Sequence, residues 1–246
     1  MMNSIYQIAR LTFVQAAHQT RSWVIPVLLC IATVLSARGG IASWSDFYRT
    51  SYVPLLLLFL PLFTCSGIVA AEVESGRVLV VHSLGISRRT FIIGRAVGAA
   101  GFCLGVATCI QFFVGMYLVF AHHVPTLRGA LGALIGLAFC FAYSACLLAF
   151  FSTVLRSWGN TGVVLALTYL VYPFVDHLCR EMPDVLWLTR LFLIGPYELV
   201  LRGSESLPFP VVDLAVVVGA CALLTTAAIL LYSRTEIGKI AGHQAS

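Results

Sequence analysis

The run from Phe91 to Phe120 is apolar almost throughout. As a single helix rising 1.5 Å per residue it would be about 45 Å long. The hydrocarbon core of a bilayer is about 30 Å thick, so such a helix must tilt, project or break. Composition extends this reading to the whole chain. Of its 246 residues, 60% are hydrophobic and 10% charged, and the mean hydropathy is +0.96. Too little polar surface remains to coat a soluble globule, which makes this an all-α integral membrane protein with several spans.

Five further apolar runs make six predicted spans: Trp23 to Ala37, Tyr52 to Ala71, then Phe91 to Phe120, Gly129 to Leu155, Thr161 to Val175 and Val211 to Tyr232. The whole chain, 1–246, is read as one transmembrane domain. Ahead of the first span, Asn3 to Thr20 places Ile5, Ile8, Thr12, Phe13 and Ala16 on one face, so residues 1–21 are predicted to form an interfacial helix. A signal peptide would need a shorter leading region before its apolar core. Residues 176–210 form the longest polar region. Within it, Asp184 to Leu201 is apolar but interrupted by Gly195 and Pro196, which suits a re-entrant or interfacial helix pair. Residues 233–246 read as a short polar tail.

The net charge of +5 would suggest nucleic acid as the partner of a soluble protein. Here the arginines sit at span ends and in loops, and topology accounts for them without nucleic acid. Arg10, Arg21, Arg77, Arg88, Arg89, Arg95, Arg156, Arg234 and Lys239 fall on one side of the six-span arrangement. Arg38, Arg49, Arg128, Arg180, Arg190 and Arg202 fall on the other, several of them in the long final loop, which counts less. The first side is therefore assigned to the cytoplasm, with both termini.

Between the second and third spans lies the most charged stretch, EVESGRVLVVHSLGISRRTFIIGR, from Glu72 to Arg95. Gly76 suits the end of a span because glycine adopts backbone conformations other residues avoid. Val78, Leu79, Val81 and Leu84 are predicted to offer an apolar face to a partner or the bilayer surface, and Arg77, Arg88, Arg89 and Arg95 to meet lipid phosphates or a partner's acidic residues. Glu72 and Glu74 are intramembrane acids of the kind that mark ion pathways, but a span end beside a glycine and several arginines favours an interfacial ion pair.

This elbow resembles the first cytoplasmic loop of the permeases of type-2 ABC exporters. The likeness rests on Glu72, Glu74 and Gly76, a short apolar helix from Val78 to Val81, then Gly85, Ser87-Arg88-Arg89 and Gly94-Arg95. It departs at Arg77, where a small Thr is common, and at Arg95, which replaces the usual Lys. The resemblance implies that residues 72–90 hold a coupling helix that docks on a separate nucleotide-binding ATPase subunit through Glu72, Glu74, Gly76, Arg77, Val78, Val81, Leu84, Ser87, Arg88 and Arg89. It further implies a second permease subunit, identical or related, and a bacterial inner-membrane location. An outer gate would lie around Gly195, Pro196 and Tyr197. Tyr169, Tyr172 and Asp176, near the outer end of the fifth span, either line the pathway or belong to an interface belt.

The sequence contains no GKS or GKT phosphate loop, so ATP and its Mg²⁺ would belong to the partner, and this chain would carry no cofactor and no catalysis of its own. No catalytic constellation or metal-ligand cluster stands out. His122 and His123 are adjacent loop histidines without further ligands. Seven of the eight cysteines lie in apolar runs, and Cys179 stands alone in an outer loop, so no disulfide is expected. Gly94, Gly98, Gly101 and Gly105, and then Gly129, Gly132 and Gly136, permit close helix approach, either within the subunit or across a dimer face. The rival function is a membrane anchor or assembly subunit of a respiratory or cofactor-maturation complex, which needs spans but no docking elbow. An intramembrane enzyme acting on lipids would need facing polar residues in mid-span, and none are evident.

Overall fold

A computed structural model describes residues 2–24, 26–28, 30, 31, 43–49, 60–62, 68–74, 77–120, 126–155, 194–205 and 211–244. All regular structure among them is helical. The elements in order are α1 (Met2–His18), α2 (Trp44–Arg49), α3 (Ala70–Glu74), α4 (Arg77–Ser83), α5 (Arg88–Phe120), α6 (Leu127–Val154), α7 (Ile194–Ser204) and α8 (Val211–Gln244). Three of them, α5, α6 and α8 to Arg234, are long and apolar enough to cross a membrane, with mean hydropathies of 2.0, 2.3 and 2.5. They coincide with the predicted third, fourth and sixth spans. The predicted first and second spans lie largely, and the fifth wholly, outside the described residues, as do Tyr169, Tyr172, Asp176, Cys179, His122 and His123.

The third apolar run does not break. It lies within the single 33-residue helix α5, about 50 Å long, so an end of α5 must project beyond the hydrocarbon core unless the helix tilts strongly. The polar tail expected after Tyr232 is also helical, because α8 continues to Gln244. Ser233 to Gln244 contains no proline, and polarity alone does not stop a helix. Gly195 and Pro196, predicted to interrupt the outer segment, instead occupy the first turn of α7. That turn tolerates proline because its N–H groups have no intrahelical acceptor.

Two glycine seams hold the long helices. On α5, a Cβ at Gly94 would come within 2.7 Å of the Ile8 Cβ, and one at Gly98 within 2.7 Å of the Thr12 Cβ, so α1 lies directly on the α5 backbone. On α6, a Cβ at Gly129 would come within 2.7 Å of the Ser204 carbonyl oxygen, and one at Gly136 within 2.6 Å of the Val200 Cα; at Gly132 it would overlap the Gly203 carbonyl. The α6 seam therefore receives α7. Both stripes serve packing inside the chain, which settles at these positions the alternative left open by spacing. Helices α5 and α6 run antiparallel. Gln111 near the end of α5 donates to the Ala130 carbonyl near the start of α6 at 2.8 Å, while Phe150 near the end of α6 packs on the cluster holding Phe91 and Ile92.

At the end of the hairpin where α6 begins, Trp44, Phe47 and Tyr48 of α2 are buried in the main core with Leu118, Ala133 and Val200. Glu205, just past α7, accepts from the Ser45 hydroxyl at 3.2 Å and forms an ion pair with Arg49, clipping α2 to α7. At the opposite end, Ile8, Val69, Val78, Phe91, Ile92, Ala228 and Tyr232 form a second cluster. This brings the N-terminal helix, the elbow and the later part of α8 to one end of the molecule.

Candidate functional site

The elbow begins with α3, whose first turn is held by α6. Ser152 Oγ accepts from the Val69 N–H at 3.0 Å and the Ala70 N–H at 2.8 Å, satisfying donors that an N-terminal turn leaves open. Two residues on, Glu72 is buried and its carboxylate turns into the protein. Glu72 Oε1 lies 2.8 Å from Arg95 Nη2, with both side chains almost wholly buried, and Oε2 lies 3.5 Å from Arg77 Nε. Arg95 also donates to Gln15 Oε1 on α1, and its guanidinium carbon sits 5.3 Å from the centre of the Phe91 ring. One arginine thus joins α1, α3 and α5.

Glu72 forms an ion pair, as expected from sequence, and does so inside the protein with a buried arginine. Arg95 does not fulfil its expected role, because burial against Glu72 and Gln15 removes it from lipid phosphates and from any partner. Among the described residues, no group of three His, Cys, Asp or Glu side chains could hold a metal ion.

Helix α4 is seven residues long, and its rotational setting decides what it offers outward. Val78, predicted to face a partner, is only 3% exposed and packs on the second cluster; Val81 is partly buried against the same cluster. Among the described side chains, Val80 and Leu84 are the apolar ones that protrude, at 61% and 72% exposed, while the side chain of Leu79, also predicted to face a partner, lies outside the described residues. With four consecutive apolar residues from Val78 to Val81, the pattern names no unique face, and packing against Phe91 and Tyr232 selects one. Arg77 lies three residues before Val80 and therefore on the same side of the helix, with Ser87 and Arg89 exposed just beyond.

His82 is the residue in this elbow whose role the sequence did not disclose. Its Nδ1 lies 2.9 Å from the Ile86 carbonyl and its Nε2 3.0 Å from the Tyr232 hydroxyl on α8. A carbonyl only accepts, so Nδ1 carries the hydrogen that bonds Ile86, and Nε2 pairs with the Tyr232 hydroxyl. Tyr232 stacks on Phe91 with ring centres 6.1 Å apart and planes 26° apart. A histidine and a tyrosine 150 positions apart give no local signal. Spacing could at most have marked His82 as the one imidazole inside the short helix.

The turn after α4 needs Gly85, whose φ of +75° lies in the left-handed region that side chains disfavour. Ser87 then caps α5, its Oγ accepting from the Thr90 N–H at 3.2 Å. Arg88 donates to the Ser233 carbonyl at 3.5 Å, a second tie from the elbow to α8. Gly76 and the side chain of Glu74 lie outside the described residues. At the far end of the molecule, Pro196 is buried in the first turn of α7, and nothing described brings Gly195, Pro196 or Tyr197 near the elbow.

No protein-family model matches this chain, and neither does any curated protein.

Proposed function

We propose that this chain is the transmembrane subunit of an ATP-driven exporter and that α4 is the helix on which a separate nucleotide-binding subunit pushes. The observation that carries the reading is the two-sidedness of α4. Its outer side presents Val80 and Leu84 beside Arg77 and Arg89, an apolar knob with a basic rim suited to a cleft with acidic edges. Its inner side is fixed by Val78 in the core and His82 on Tyr232, while Arg77 at the rim reaches back to the buried Glu72–Arg95 pair. A displacement applied to the outer side cannot be absorbed locally and passes to α1, α5, α6 and α8. Closure of two ATP-loaded partners would thereby bias the membrane body between inward-closed and outward-open states.

On this reading the elbow lies in the cytoplasm of a bacterial cell, both termini lie on the same side, and two such subunits assemble with two ATPase subunits. ATP and Mg²⁺ are held by those partners, and α7 belongs to the outer gate. Purification of the tagged full-length chain from its native membranes tests the proposal. The wild type retains a nucleotide-binding subunit. The variant Val80→Asp/Leu84→Asp, which buries carboxylates in the docking cleft, retains at least about tenfold less, equivalent to 1.4 kcal/mol. Absence of an ATPase subunit from the wild-type preparation, or equal retention by the variant, overturns it.

A further inference from the structure

Helices α6 and α8 pack side by side and run parallel. Tyr143 of α6 shares a core with Val217 of α8, and further along both helices Phe150 packs on the cluster that holds Ala228 and Tyr232. That register sets Cys146, three residues past Tyr143, opposite the turn of α8 that opens at Cys221. The side chains meet there. Thr225 Oγ1 donates to Cys146 Sγ at 3.4 Å, and the Cys146 and Cys221 thiols hydrogen-bond to each other. Cys221 and Thr225 are four residues apart and share one face of α8, so Cys146 lies against both. Both thiols are half-buried, unlike those of Cys103 and Cys140, which are enclosed in the core.

Packed helices with axes about 8–10 Å apart and Cα atoms at a radius of about 2.3 Å bring facing Cα atoms to about 3.5–5.5 Å. A disulfide spans Cα separations of about 4.4–6.8 Å. Joining two facing cysteines therefore takes a turn of each thiol about χ1, with the helices left in place. The sequence shows none of this, because the two residues lie in separate apolar runs without a CxxC pair.

We propose that Cys146 and Cys221 are a redox pair that a hydroperoxide converts into a disulfide stapling α6 to α8, and that a dithiol restores. In the first step the Cys146 sulfur attacks a peroxide oxygen and the O–O bond breaks. The departing oxygen takes the thiol proton and leaves as water or an alcohol, and Cys146 becomes a sulfenic acid. The Cys221 sulfur then attacks the Cys146 sulfur, the S–O bond breaks, and the released hydroxide leaves as water with the Cys221 proton. The two thiols lose two electrons and two protons, and the hydroperoxide takes up both. The Thr225 hydroxyl supports the charge that gathers on the Cys146 sulfur as it attacks, which assigns the first step to Cys146. The product is a covalent bond inside the chain, so the inference stands apart from the transport reading.

The full-length chain in lipid nanodiscs, titrated with hydrogen peroxide, blocked with N-ethylmaleimide and digested without reduction, tests it by mass spectrometry. The expected product is a peptide pair joined through Cys146 and Cys221, two hydrogens lighter than the separate thiols and released by dithiothreitol. It forms at a peroxide concentration at least tenfold below that which oxidises the exposed Cys30 and Cys109. In Cys221→Ser the reaction stops at the Cys146 sulfenic acid, which dimedone traps. Oxidation of Cys30 or Cys109 in the wild type before this bond forms, or pairing of Cys221 with Cys140 instead, overturns the proposal. So does a Cys221→Ser chain that yields no dimedone adduct at Cys146.

Discussion

The Glu72–Arg95 pair makes a sharp test because its two members have different reserves when separated. Replacing Glu72 with leucine leaves the Arg95 guanidinium buried, with the Gln15 oxygen and the face of Phe91 as its company among the described residues. A cation–ring contact contributes about 0.5–2 kcal/mol, short of what an uncompensated buried charge requires. The expected destabilisation is therefore the about 3–5 kcal/mol typical of removing one partner from a buried ion pair. Replacing Arg95 with methionine leaves Glu72 a second cation, Arg77 Nε at 3.5 Å, but the Arg77 side chain is 62% exposed and its attraction is screened. That variant should fall at the lower end, about 3 kcal/mol. Glu72→Leu/Arg95→Met removes both charges and fills the space with apolar atoms, so it should be no worse than the milder single variant. The resulting coupling energy is at least about 3 kcal/mol. Unfolding of the full chain in mixed micelles, titrated with sodium dodecyl sulfate and followed by circular dichroism, measures the cycle. Single effects below about 1 kcal/mol, or additive ones, would refute the claim that this pair anchors the elbow.

Two further outcomes follow from packing and burial. Gly132→Ala should destabilise by about 1–3 kcal/mol because its methyl meets the Gly203 backbone, whereas Gly101→Ala, with nothing within 4 Å, should be neutral or stabilising by up to about 1 kcal/mol; thermal unfolding in one detergent compares them. Burial raises the Tyr48 phenol above its ordinary range near 10. The unfolded chain therefore ionises first as pH climbs, and stability falls above about pH 10 by about 1.4 kcal/mol per pH unit until the folded phenol ionises too. Thermal midpoints between pH 9 and 11 should fall less steeply in Tyr48→Phe than in wild type, the difference being the share of Tyr48.

What the residues disclosed in advance tracks the range over which their signal acts. Spans α5, α6 and α8 were legible because each is a run of apolar residues longer than a bilayer is thick. Glu72 was legible as half of an ion pair because acids at span ends seldom stay alone. The setting of α4 was not, since Val78 and Val80 are chemically identical and only Phe91 and Tyr232 decide which of them is inside. The inward turn of Arg95 was hidden for a similar reason: its acceptor Gln15 is 80 positions away. Polar residues after Tyr232 suggested an end to α8, yet polarity does not stop a helix, and α8 runs through Gly238 and Gly242 to Gln244.

The two places where helices touch backbone to backbone lie at opposite ends of the α5–α6 hairpin, α1 at Gly94 and Gly98 and α7 at Gly132 and Gly136. Side chains normally act as a compliant layer, letting one rod slip a little over another before the second one responds. Where that layer is absent, the rods behave like meshed gears without play. A nudge to α1 therefore reaches α5 undiminished, and α6 conveys its own shift to α7 on the far face.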